Sequence, residues 1–437
     1  MKIFKQMSIA CFVTLVFILP ACENENDSYL GIPYDPSKPV RVDSFEPDSG
    51  GMATKVFIQG SNFGTDPTKI KVYFNDLRAP VVGSDGNHIY AITPRQPGRE
   101  CIISVVVNND SVVVTDKVYL YRTMVTVTTI AGKKGGTELK TGSLSEATFQ
   151  YPSTLCVDAE GNIFLSHWRT PYAFVLINQE KDIVQELFRG DPLGAPTADA
   201  NGKVIMAPAD GGDGYYSFDP DAQWAPKSRL ILHPSYESIA EGIVDFKINY
   251  KHGMSACPLD GYIYTRSVNG QLVRFNPLTR MGERVGGVNM LTEVDTDAFL
   301  SFDPFNPNIL YISYPSRHVI YTYDVITNEH VLFAGTRGLS GWKDGERLHA
   351  EFHTPSQVCV DQDGSVMVAD RGNHCIRRIS ADGMVSTVIG KGGIAGYVDG
   401  NPEDALFNSP RGVAIDKDYN IYVADYENNV VRKLAIE

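Results

Sequence analysis

The chain has 437 residues, 43% of them apolar and 21% charged, the proportions of an ordinary globular protein and not of a collagen-like, disordered or multi-span membrane chain. Its 39 Gly and 25 Pro imply many turns and favour an all-β fold. The formal charge of −13 argues against a nucleic-acid partner, because phosphate recognition draws on clustered Lys and Arg.

Residues 1–21 read as an export signal. Lys2 and Lys5 form a basic start, and Ile9 to Leu19 is an apolar run too short to span a bilayer. Leu19-Pro20-Ala21-Cys22 resembles a bacterial lipobox. Cleavage there would leave Cys22 as the lipid-attachment residue and the lipid as the only membrane contact. Glu23, Glu25 and Asp27 follow. This acidic stretch resembles the surface-export signal of some Gram-negative lipoproteins, which implies an outer-membrane protein facing the cell exterior. Residues 22–37 read as a tether rich in Asn, Asp and Pro.

Residues 38–122 hold short β-rich runs separated by Gly, Asn and Pro turns, the pattern of a small sandwich. Pro47-x-x-Gly50, Val56-x-Ile58-x-Gly60-x-Asn62-Phe63-Gly64, Val72-x-Phe74, Pro94 and Gly98 mark it. This pattern resembles the IPT/TIG family of immunoglobulin-like domains, which implies a spacer or interaction domain. Phe63 is expected in its core or a turn.

Residues 123–437 are repetitive. A Gly-rich loop, Ala-x-Phe-x-x-Pro, a β run ending in Asp, a turn and a second β run recur from Ile130, Phe333 and Val388. Weaker copies lie at 194–220, 255–277 and 300–324. Strand–turn–strand repeats without helical periodicity predict a propeller, here of six blades. The chain stops just after the third strand of the last copy, while a lone strand, 125–132, precedes the first. The early strand is therefore predicted to become the fourth strand of the last blade, removing two exposed edges. Asp361, Ala369-Asp370, Asn373 and Arg377, then Asp416, Ala424-Asp425, Asn428 and Arg432, carry a resemblance to NHL repeats. The predicted fold class is all-β: an N-terminal immunoglobulin-like (IPT/TIG) sandwich followed by a six-bladed NHL-type β-propeller.

Chemistry-bearing motifs are sparse. Cys156, Cys257 and Cys359 occupy similar places in similar strands and read as buried thiols, not bridges. Asp158, Asp361 and Asp416 read as turn caps. Asp370 and Asp425 read as ordering the next turn, with Arg377 and Arg432 as ion partners. His349-Ala350-Glu351-Phe352-His353 lacks the H-E-x-x-H order of a zinc site. No catalytic residue, metal ligand or cofactor is assigned.

Function is read from placement. In a propeller, loops after the second strands and loops before the first strands share one face. That face is predicted to carry Trp168, Arg169 and Tyr172 from blade one, Tyr215 from blade two and Arg266 from blade three. Tyr314 and Arg317 come from blade four, Arg371 from blade five and Tyr426 from blade six. Lys251, His252, His353 and Arg411 lie in loops leading into blades. Aromatic rings stack on sugar C–H faces, and planar guanidinium groups bind hydroxyls in pairs. IPT/TIG plus NHL repeats on a lipoprotein resembles cell-surface proteins of glycan-acquisition systems. The resemblance implies binding of an oligosaccharide or polysaccharide and its transfer to an outer-membrane transporter or an enzyme. The alternatives are a protein–protein scaffold, or a metal-dependent lyase or lactone hydrolase, since propellers serve all three.

Overall fold

The computed structural model describes residues 31–51, 53–94, 100–108, 113–121, 125–286, 293–294, 296–361 and 363–436. The predicted export signal and Cys22 lie outside them. Among the described residues no helix is long and apolar enough to cross a membrane. The chain divides into two compact units, Met1–Arg122 and Thr123–Glu437.

The first unit is a sandwich. One sheet orders its strands Arg41–Glu46, Lys55–Ser61, His88–Ile92, Val81–Ser84; the other orders Ser49–Gly50, Val113–Tyr121, Glu100–Val107, Ile70–Phe74, Leu77–Ala79. Period-two alternation sends Cys101, Ile103, Val105 and Val107 inward and Glu100 and Ile102 outward. Phe63 is buried in this core. Asn62, in the left-handed region at φ 66°, takes the Asp35 N–H at 2.7 Å and donates to the Lys38 carbonyl at 2.7 Å. The end of the predicted tether is thereby folded against the sandwich.

The second unit is a six-bladed ring. Blades one to four are four-stranded sheets whose first strands are Pro152–Val157, Thr197–Ala198, Met254–Ala256 and Phe299–Phe302. Blade five starts with Pro355–Val360 and carries an extra outer strand, Gly345–Glu346. Blade six comprises Pro410–Ile415, Ile421–Asp425, Val430–Ile436 and, as its fourth strand, Val125–Gly132. That closing strand pairs antiparallel with the last one, Val127 opposite Leu434 and Thr129 opposite Arg432. Ends of the unit far apart in sequence thus zip the ring shut.

Both sides of each inner sheet are buried, so its strands read as nearly continuous apolar runs. Successive residues serve different interfaces. Phe164 packs with Phe218 between blades one and two. Its neighbour Leu165 packs with Ala424 and Val431 between blades six and one. The Ala-x-Phe pairs of the repeat (Ala147 and Phe149, Ala350 and Phe352, Ala405 and Phe407) are fully buried in these interfaces. Burying one such Phe contributes about 1.5–3 kcal/mol. Gly412 permits a close approach of neighbouring inner strands: a Cβ there would lie 2.8 Å from the Ser153 carbonyl oxygen.

The repeated polar residues hold loops to blades. Asp425 accepts from the Asn408 N–H at 2.7 Å, Asn428 Nδ2 at 2.8 Å and Arg432 Nη1 at 3.1 Å. Arg432 also donates to the Leu406 and Val398 carbonyls. Asp370, Asn373 and Arg377 repeat this network one blade earlier. Asp158 and Asp416 cap their turns, each accepting two backbone N–H groups.

A second device latches blades together. His318, His374 and Asn429 each follow a second-strand turn in the left-handed region. Each takes a backbone N–H from the following blade: Thr354 at 3.1 Å, Ser409 at 3.0 Å and Tyr151 at 2.8 Å.

Candidate functional site

The first strands line a central channel. At one mouth their C-terminal ends surround a cavity of about 310 Å³ with Cys156 and Cys359 in its wall. Gln357 braces the channel, accepting from the Leu155 N–H at 3.1 Å and donating to the Leu155 carbonyl at 2.6 Å. The described cysteines are free thiols, and burial pushes Cys156, Cys257 and Cys359 upward, so they are inert at neutral pH.

At the other mouth, turns after second strands and loops before first strands bring polar and aromatic groups together. Arg411, second residue of the first strand of blade six, is 6% exposed. Its guanidinium lies 5.1 Å from the Trp168 ring of blade one, 5.7 Å from Tyr426 of blade six and 5.8 Å from Phe299 of blade four. Contact with opposite sides of the ring places it across the channel axis. Burial, then the like charge of Arg371, pulls Arg411 down to about 10; it stays protonated at neutral pH.

Tyr426 gathers other groups. Arg371 lies over its ring at 5.2 Å, and Tyr151 packs against it at 5.1 Å. Arg169 stacks on Tyr151 at 4.2 Å. Trp168, half-buried, packs against the His252 ring at 5.5 Å.

His252 stands between two carboxylates, 3.3 Å from Asp297 and 3.4 Å from Asp210. Burial pulls its pKa down, with the two aspartates opposing; the ring is neutral near pH 7. Its loop is laced to blade two. The Ala195 N–H donates to the His252 carbonyl at 2.7 Å, an approach that Gly194 allows, since a Cβ there would lie 2.5 Å from that oxygen. The Lys251 ammonium, fully buried, donates to the Ala209 carbonyl at 2.9 Å and to Gly212. It pins the turn that carries Asp210, and burial lowers it to about 8.

Of the sequence-predicted residues, Trp168, Arg169, Arg371 and Tyr426 come together here. Arg266 and Tyr314 are the last residues of second strands, and both are buried. They stack on each other at 4.9 Å, and Arg266 Nη1 donates to the Thr296 carbonyl beside Asp297. Arg317 pairs with the buried Glu293, which also holds Arg337. Tyr215 lies in the core between blades two and three. Tyr172 is half-buried, its carbonyl accepting the Gly190 N–H. Asp210, Asp297, Phe299 and Tyr151 were not assigned to this face from sequence. The described residues contain no group of three or more His, Cys, Asp or Glu placed to hold a metal.

A family model for the IPT/TIG domain matches residues 39–121, and one for the NHL repeat matches residues 352–379 and 407–434. The chain carries an IPT/TIG domain and NHL repeats. Over 84 residues it is 44% identical to NHL repeat-containing protein 2 of Gallus gallus, a match that spans 19% of this chain and 11% of that curated relative.

Several solved structures are similar over nearly the whole chain. A structural genomics protein of unknown function from Bacteroides thetaiotaomicron is 26% identical, with TM-score 0.71, over 93% of this chain and 100% of its own. An auxiliary nutrient binding protein from the same species is 25% identical, with TM-score 0.61, over 93% of this chain and 99% of its own. A Bacteroides ovatus auxiliary nutrient binding protein, 22% identical with TM-score 0.65 over 93% of this chain and 100% of its own, shares the fold.

Proposed function

We propose that this is a lipid-anchored outer-membrane protein, facing the cell exterior, whose propeller face binds a glycan and passes it to a transporter or enzyme partner. Cys22 is the attachment point, residues 38–122 form the spacer and residues 123–437 the binding platform. The observation that carries the reading is the cluster over the channel. Trp168, Arg411, Arg371, Tyr426, His252 and Asp297 combine ring faces with donors and acceptors from several blades. A site assembled from several blades suits an extended saccharide, which makes several weak contacts. Similarity to auxiliary nutrient binding proteins supports it.

A glycan-array screen of the full chain tests the reading. Trp168→Ala should weaken binding of any sugar found by about tenfold, the scale of one lost aromatic contact of ~1.4 kcal/mol, and leave the unfolding midpoint nearly unchanged. Unchanged binding would move the site elsewhere. Cys22→Ala should release the protein from membranes, and continued membrane association would remove the anchor.

One feature favours a protein contact in addition. The loop between blades two and three holds a short helix, Tyr236–Ala240, and exposes Tyr236, Ile239, Val244 and Tyr250. An apolar group of this kind on a loop before a first strand is where the transporter or enzyme partner would dock.

A further inference from the structure

Resting on that binding reading, we infer that the saccharide held at the channel mouth is acidic, carrying a carboxylate or sulfate that the Arg411–Arg371 pair receives. The imbalance of charge at this mouth points there. Arg169, Arg266, Arg371 and Arg411 converge on it, yet no described carboxylate forms an ion pair with any of them. Arg317 and Arg337, a short way off, are both ion-paired to the one carboxylate of Glu293, so the fold does pair arginines elsewhere.

Asp210 and Asp297 lie 3.4 and 3.3 Å from His252, and Asp297 also acts on Arg411 and Arg266. Arg411 and Arg266 are both buried, and each leaves its Nε without a hydrogen-bond partner. A buried cation that a carboxylate, here Asp297, reaches only from beyond ion-pair distance is costly to hold. Arg411 is kept in place by ring faces, which stabilise a cation without neutralising it, and by the Tyr426 hydroxyl. Burial and the like charge of Arg371 act against its charge, Tyr426 and Asp297 offset them only in part, and an arriving anion would offset more. A guanidinium fork matches a carboxylate or sulfate in two parallel bonds. Asp297, beside the fork and 48% exposed in its side chain, is placed to accept a sugar hydroxyl. The surplus is local, on a chain of net charge −13, so the field is focused at the mouth and does not spread over the surface as in a nucleic-acid binder.

The test is an array that presents acidic oligosaccharides beside their neutral counterparts: oligogalacturonate with its methyl ester, chondroitin sulfate oligosaccharide with its desulfated, carboxyl-reduced form, and sialyllactose with lactose. The expected result is binding confined to acidic members, at least tenfold tighter than the neutral partner and weakened by salt. Arg371→Gln and Arg411→Gln should each lower that affinity tenfold or more. Arg371 is only half-buried, so its variant should keep the wild-type unfolding midpoint and remains informative if the Arg411 variant fails to fold. Equal or tighter binding of the neutral members would overturn the inference and leave the glycan-binding reading intact. Binding of an oligonucleotide in place of any acidic sugar would also overturn it. No binding to any member would remove both.

Discussion

His330 is half-buried against the Tyr321 ring, 4.5 Å away and nearly parallel, with its Nε2 3.3 Å from the Tyr314 hydroxyl. Burial, and then the charge of Arg266, draw it down to about 4. His167, which is buried, falls to about 4 for the first of these reasons. In the unfolded chain both return to about 6.5. The unfolded state therefore binds more protons than the folded state between those values, so stability rises with pH across that window. It is fully present above about 6.5 and declines as pH falls toward 4. Buried Asp370 and Asp425, pushed up to about 6 and about 7, act in the opposite sense, so the test is a difference: in thermal unfolding followed from pH 8 to pH 4.5, His330→Phe, which keeps the ring stack, should shift the slope toward less loss of stability in acid than the parent shows. An unchanged slope would mean that His330 takes a proton in the folded state. The same burial explains why single residues were hard to place from sequence. Tyr314 and Arg266 end their strands one step before the turn, and their side chains face inward.

At the scale of a blade, the Asp425–Asn428–Arg432 network ties the second and third strands to the loop before the first. Both charges are wholly buried. Arg432→Met leaves Asp425 buried with only Asn428 and a backbone N–H, and should destabilise by about 3–5 kcal/mol. The double variant Asp425→Leu with Arg432→Met removes both charges and should recover part of that loss. Denaturant titration of the four states gives the coupling, and additive effects would mean the ion pair itself contributes nothing. This network was legible in the sequence because blades five and six repeat it at fixed spacing. The latch of His318, His374 and Asn429 was not, because it is made by unlike side chains that share only a left-handed backbone and an acceptor atom.

At the scale of the molecule, the order of sheets and the closure were legible from repeat spacing, from a strand left over before the first copy and from a fourth strand lacking in the last. The centre of the binding face was legible only where blades keep the repeat. Trp168, Arg371 and Tyr426 follow regular second strands, whereas Asp210 and Asp297 sit in the irregular connections around blades two to four. Closure is the feature on which the ring's cooperativity depends. Val127 is 1% exposed and packs with Met367, Val413 and Leu434 between blades five and six. Val127→Asp would place an unpaired carboxylate in that core, at a cost of several kcal/mol. If closure couples all the blades, the variant should weaken hydrogen-exchange protection of the inner strands Thr197–Ala198 and Met254–Ala256, on the far side of the ring, as much as that of Pro410–Ile415. Val331→Asp, on an exposed outer strand position of blade four, should leave all three nearly unchanged. Loss of protection limited to blade six and its neighbours would show instead that the blades unfold as a chain of nearest-neighbour units, with the closing strand stabilising only the blade it completes.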